Sequence, residues 1–168
     1  SWGDVHDSAP MTFLVPSITR CVSEEELKKF DIRLYLGADE DDDFWIIHHR
    51  KLTGPSWLNI KFSFHPSRPN KIPFNEIMDL AYTDGSEYLI RVNDDSEFQS
   101  SNFITTGITA LLKHSPPNIG VIGSVSQRQV LIHDMVHRTH LKIFESYYPE
   151  IFSNWWVDNW ISRVYGAS

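Results

Sequence analysis

Asn93-Asp94-Asp95 directly follows the mostly apolar stretch Tyr88-Leu89-Ile90-Arg91-Val92. Carboxylates gathered at the end of a buried strand are costly unless a cation meets them. A hard divalent ion is the usual guest, because such ions take oxygen ligands. The pattern therefore reads as a DxD-like metal site with Asn in the first position. Asp95 would hold Mn2+ or Mg2+ with Asn93 beside it, and Asn93 or Asp94 would contact a ribose or a metal-bound water. A metal there suits a diphosphate, whose developing charge it would neutralise. The competing reading is a polar turn and helix cap, which Asn and Asp favour in any case.

Three further groups have chemistry-bearing types. Asp158 is a candidate general base, a carboxylate able to take the proton of an acceptor hydroxyl; the alternative is an acid in a first helical turn, stabilised by the helix dipole. His133-Asp134-Met135-Val136-His137 would, on a helix, put both histidines on one face, as in zinc hydrolases with an HExxH motif. The same residues read alternatively as surface or acceptor-side groups. Arg68 and Lys71 could meet a diphosphate or simply solvate a loop. Trp155, Trp156 and Trp160 crowd the last fifteen residues and offer a sugar-stacking face or core packing.

The elements that must position these groups emerge from the apolar pattern. Phe13-Leu14-Val15 reads as a first buried strand cut by Pro16. Ser23 with Glu26 has the capping-box spacing for a helix from Ser23 to Phe30. Ile32 to Leu36 reads as a second strand closed by Gly37, so a parallel βαβ unit is expected in the first forty residues. Phe44 to Ile47 is a strand or a short helix, and Leu58 to Phe64 is a strand. Phe74, Ile77, Met78, Ala81 and Tyr82 keep helical spacing up to the Asp84-Gly85 stop. Tyr88 to Val92 is the strand that delivers the acidic cluster. Phe103 to Leu112 is a helix, Ile119 to Val125 a strand, His133 to Phe144 a helix, and Trp156 to Val164 a last helix. This alternation predicts a mostly parallel sheet between helices, with room for an antiparallel hairpin toward the C-terminal half.

Length and composition bound the choice. The 168 residues suit one domain, 41% hydrophobic and 13% aromatic content suits a folded core, and a net charge of −7 disfavours a nucleic-acid surface. Cys21 is the sole cysteine, so no internal disulfide forms. No apolar run is long enough to span a membrane, and no signal peptide is visible. The chain lacks an initiator Met and reads as a single domain over residues 1–168, excised or truncated from a longer protein.

Taken together, Arg68-Pro69-Asn70, Phe74-Asn75-Glu76-Ile77-Met78 and the run from Tyr82 through Val92-Asn93-Asp94-Asp95 to Phe98 resemble the core of GT-A-fold glycosyltransferases, in which a helix leads into a strand ending in DxD. Phe13 to Arg20 resembles the nucleotide-binding opening of that group. Gly37-Ala38-Asp39 resembles the strand end whose acid meets the base or ribose. Met135-Val136-His137-Arg138 through Trp155-Trp156-Val157-Asp158 resembles the segment that brings an acid to the acceptor. The chain departs from the group in its Asn93 and in ending soon after Asp158, where many members add a late His ligand. The resemblance implies a three-layer α/β/α, Rossmann-like single domain and a metal-dependent transfer of sugar from a UDP-linked donor. The acceptor would be a glycan, protein or small molecule. Pro16, Ser17, Thr19, Arg20, Asp39, Arg68, Asn93 and Asp94 would hold the nucleotide. Asp95 and Asn93 would hold the metal, Asp158 would be the base, and His133, Asp134, His137, Trp155 and Trp156 would line the acceptor side. A catalytically inactive relative acting as a binding module and a zinc hydrolase are the alternatives.

Overall fold

The computed structural model describes residues 3–126, 130–152 and 154–166. The fold is mixed α/β and divides into two compact units, Ser1–Ser67 with Asn93–Thr105 and Arg68–Val92 with Thr106–Ser168.

In the first unit, the segment expected to be a strand is helical. A π-helical turn over Pro10–Leu14 runs into α1, Val15–Cys21. Leu14, Val15, Ile18, Cys21 and Val22 are buried, which is the stripe of a helix. Phe13 points outward at 39% exposure. Pro10 and Pro16 each stand in the first turn of their helical segment, where a missing N–H costs nothing. The apolar triplet Phe13-Leu14-Val15 is too short to separate strand from helix, and the two prolines begin helical turns rather than end a strand.

Helix α2, Glu24–Lys29, has the expected capping box, with Ser23 Oγ accepting from Glu26 N at 3.3 Å and Glu26 Oε2 accepting from Ser23 N at 3.3 Å. Glu26 is buried, and its other oxygen accepts from Thr105 N at 2.7 Å. Thr105 lies in the first turn of α5, Phe103–Leu112, so one carboxylate satisfies orphan amides at two helix starts.

Strand β1, Arg33–Asp39, pairs in parallel with β2, Asn59–His65, in register from Arg33↔Asn59 to Asp39↔His65. The crossover between them contains α3, Asp43–His48, capped by the Asp42 side chain, which accepts from Trp45 N at 3.1 Å. Trp45 and His49 set their rings 5.2 and 5.5 Å from that of Phe62 on β2. The parallel βαβ unit therefore exists one step later than the sequence pattern suggests: β1–α3–β2, with no strand before α2 among the described residues.

The second unit holds α4 (Phe74–Thr83), β3 (Tyr88–Arg91), β4 (Ile122–Val125), β5 (Leu131–His137), α6 (Thr139–Phe144) and α7 (Val157–Val164). Its sheet has the order β3-β5-β4 and is antiparallel throughout. The expectation of a mostly parallel sheet is thus met by β1 and β2 alone. The expected helix from His133 begins only at Thr139; His133 to His137 belongs to the central strand. Asp134, Met135 and Val136 are consecutively buried, as a strand enclosed on both faces requires. Gly107 on α5 makes room for this strand, since a Cβ there would collide with Met135 Sδ.

Replacing Glu26 with Ala should lower stability by about 2 kcal/mol, because two helix starts lose their acceptor at once. Ser23→Ala should cost about half as much. Urea melts of the two variants check the ratio; equal losses would mean that the bond to Thr105 contributes nothing.

Candidate functional site

The densest polar arrangement lies inside the second unit and begins with a cross-strand pair. Arg91, the last residue of β3, stands opposite Asp134 on β5. Both are almost fully buried, at 4% and 1% exposure. Arg91 Nε and Nη2 approach Asp134 Oδ2 at 3.0 and 2.9 Å. Tyr148 donates to the same oxygen at 2.7 Å, and Tyr147 donates to Oδ1 at 2.6 Å. Arg91 Nε also donates to the Tyr148 hydroxyl at 2.9 Å, and its guanidinium lies 5.4 Å from the Phe74 ring centre. Burial works against the charge on Arg91, but Asp134, Tyr148 and Asp158 more than offset it and raise its pKa. Burial, reinforced by the Asp134 charge, pushes both tyrosine hydroxyls far up, so they remain donors.

The backbone that presents the tyrosines is tied down separately. The Asn75 side chain exchanges two 2.8 Å bonds with Tyr148 N and O. His140 is buried, with Nε2 2.8 Å from Tyr147 O and Nδ1 2.8 Å from the Tyr165 hydroxyl. A carbonyl only accepts, so Nε2 carries the proton and Nδ1 accepts from Tyr165.

Asp158 is the edge of this network. It lies in the first turn of α7, and Arg91 Nη2 donates to its Oδ1. Helix α7 is itself fixed to β5 through Ser162, whose Oγ accepts from Leu131 N at 3.0 Å and donates to Asp158 O at 2.7 Å. The Asp158 side chain remains 38% exposed. Burial raises its pKa, and Arg91 opposes without cancelling; His133 lies near enough for its charge to bear on the carboxyl too. The result is a carboxylate held by one oxygen, open to solvent, and more basic than an ordinary Asp.

The other sequence candidates fall in different settings. Asn93, Asp94 and Asp95 form an exposed turn closed by Ser96 N to Asn93 O at 3.2 Å. Among the described residues, no three His, Cys, Asp or Glu side chains are grouped to hold a metal ion. Asp39 is half-buried at the carboxyl end of β1, beside the end of β2. The expected nucleotide loop is helix α1: Pro16, Thr19 and Arg20 are exposed, whereas Ser17 is fully buried and donates to Leu14 O at 2.8 Å. Arg20 donates to Phe98 O at 3.1 Å. Arg68 and Lys71 meet Glu76 Oε1 at 3.7 and 3.1 Å. Asp134 is sealed among its donors and cannot line an acceptor surface. His137 Nδ1 accepts from Thr139 N at 3.2 Å and so caps α6. Trp155 and Trp156 are exposed, at 74% and 66%.

The zinc reading fails on spacing. On a strand, residues four apart are separated by about 13 Å, so His133 and His137 cannot share one ion. Arg91, Tyr147 and Tyr148 escape sequence reasoning. The signal for Arg91 is a lone cation inside an apolar strand; Tyr147-Tyr148 reads only as a break before Pro149.

Removing one member of the buried pair leaves the other unpaired, so Arg91→Met and Asp134→Ala should each cost about 3–5 kcal/mol, measured by denaturant unfolding. The double variant should recover part of the loss; additive losses would mean the pair is not coupled. A second expectation concerns pH. Burial lowers the His140 pKa from its ordinary 6.5, so the unfolded chain takes up the proton first as pH falls. Stability is then full above about pH 6.5 and declines below it. His140→Gln should flatten that decline in melts between pH 7 and pH 5, and an unchanged slope would assign it elsewhere.

No helix among the described residues is long and apolar enough to cross a membrane. Comparison with known proteins finds no matching family model, no matching curated protein and no matching solved structure.

Proposed function

We propose that the chain is a GT-A-type glycosyltransferase domain that moves a sugar from a UDP-linked donor to an acceptor hydroxyl, with Asp158 as general base. The observation that carries this reading is Asp158 itself. A base must be held still, reachable, and able to take a proton near neutrality. Asp158 is anchored through Oδ1 by Arg91, 38% exposed, and raised in pKa by burial. Trp155 and Trp156, which precede it in the chain, are exposed.

The donor half of the reading rests on the first unit. The parallel β1–α3–β2 unit puts Asp39 at a strand's carboxyl end, where α/β sheets take ligands. Asn93, Asp94 and Asp95 are exposed and offer oxygen ligands only, a donor set that fits Mn2+ or Mg2+. The bound metal would supply positive charge to the diphosphate. The three-layer sandwich of GT-A proteins belongs to the same reading. Ser17 is excluded from the nucleotide site by its burial, which leaves Thr19 and Arg20 as the accessible polar members of that segment.

In the transfer, the acceptor hydroxyl oxygen bonds to the anomeric carbon, the bond from that carbon to the diphosphate oxygen breaks, and the hydroxyl proton passes to Asp158. Inversion at the anomeric carbon results. A non-catalytic binding module is the second reading, favoured by the amide Asn93 where a carboxylate would grip the metal more strongly.

Titrating UDP into the protein with Mn2+ should give saturable heat that Asp95→Ala abolishes. Release of UDP from UDP-sugars should fall roughly 100-fold or more in Asp158→Asn while UDP binding persists. Asp158 must be ionised to act, so activity should fall as pH drops through its pKa. That limb should lie above the ordinary carboxylate value of 3.8. Binding without turnover for any donor would select the module, and absence of nucleotide binding would overturn both.

A further inference from the structure

Helix α7 is amphipathic in an unusual sense. Val157, Ile161 and Ser162 are buried, at 3%, 0% and 4% exposure. The opposite side carries exposed indole and aliphatic surface beside the Arg163 cation. Together with Phe152, the residues Trp156, Asn159, Trp160, Arg163 and Val164 line an open groove of about 390 Å³. Trp156, Asn159, Trp160 and Arg163 recur at spacings of three and four, so the helix presents them in one strip.

Two features of this strip oppose the stability of the chain alone. Trp156 is 66% exposed, leaving a large indole in water. Its backbone also adopts φ +76°, a left-handed conformation that a bulky residue avoids. Trp160 N donates to Trp156 O at 2.8 Å, so the strained residue is fixed as the start of α7. The exposed indole is thus carried on a backbone held in place, which offers a stacking surface to a ligand.

We propose that this groove binds an acidic oligosaccharide, one that carries a carboxylate or sulfate on the sugar stacked against Trp156. Indole faces cover the apolar C–H face of a pyranose ring, and a few polar groups at the rim fix its orientation. Asn159 supplies an amide that can both donate and accept to sugar hydroxyls. Arg163 supplies a fork that matches a carboxylate or sulfate. Charge complementarity selects the anionic class: the chain carries a net charge of −7, yet among the described residues that line the groove the charged side chain is a cation. Arg163 forms no ion pair with a described residue. The inference goes beyond the proposed function and does not rest on it: Asp158 turns to Arg91 and is not among the residues that line the groove.

The test needs no donor and no metal. Matched acidic and neutral glycans (uronic-acid, sialylated and sulfated oligosaccharides beside their uncharged counterparts) are printed as an array, and hits are titrated by tryptophan fluorescence. The expected result is binding confined to acidic members, weakened about tenfold in Arg163→Gln and by a similar factor in Trp156→Ala. Added salt should weaken it further. Arg163 is exposed, so its variant keeps the fold, and circular dichroism controls for Trp156→Ala. Equal binding of neutral and acidic members, no binding at all, or acidic binding unchanged in both variants would each overturn the proposal. Asp158→Asn should keep the glycan affinity. Retained glycan binding beside absent UDP binding would therefore sink the transferase reading and leave the groove assignment standing.

Discussion

The second unit depends on one buried charge pair. Arg91 and Asp134 face each other across β3 and β5, and neither retains meaningful contact with water. Taking both charges out of solvent costs several kcal/mol per ion before any contact is made. The cost is offset because Asp134 accepts from Arg91, Tyr147 and Tyr148 together. The arrangement also fixes strand register, since a slip by one residue would turn Asp134 to the opposite face and strand Arg91 without a partner. The same carboxylate constrains the chain beyond β5. The two tyrosines can reach it only if the turn after α6 runs where His140 and Asn75 hold it.

The first unit is organised by another satisfied carboxylate. Glu26 is as deeply buried as Asp134 but has no cationic partner among the described residues; it is met by the amides of Ser23 and Thr105. Backbone N–H groups at helix starts carry partial positive charge and have no partner within their own helix, so an acid there satisfies them while they stabilise it. The two units thus bury acids by different means, one with an arginine and tyrosines, the other with helix ends.

Those means decide what the sequence could reveal. The Ser23–Glu26 box is legible because both partners lie three residues apart and the pattern is local. The helix at Phe74 and the strand at Tyr88 are legible from apolar spacing against the Asp84-Gly85 stop. Strand β5 is not: His133, Asp134 and His137 look polar, and only a partner 43 positions away shows why Asp134 can be buried. Phe13 to Val15 misleads for a local reason, since three apolar residues fit either period until Ile18 and Cys21 are counted with them. At the candidate site, Asp158 is legible as a residue type, but its anchor is not, because Arg91 reads as a chance cation in an apolar run.

The contrast between the two acids held by Arg91 gives Asp158 its chemical character. Asp134 has both oxygens filled by donors that keep their protons, since Tyr147 and Tyr148 are pushed far above their usual pKa. A carboxylate so enclosed is out of a substrate's reach and serves the fold instead. Its charge reaches Asp158 in two ways. Directly, it repels the second carboxylate and raises its pKa; indirectly, it holds Arg91 in place, and Arg91 lowers that pKa. Burial adds the largest push upward. Without Arg91 the pKa would rise further; without burial it would fall. Asp158 thus stands between the two limits because a single guanidinium is divided between an acid that is fully enclosed and one that is not.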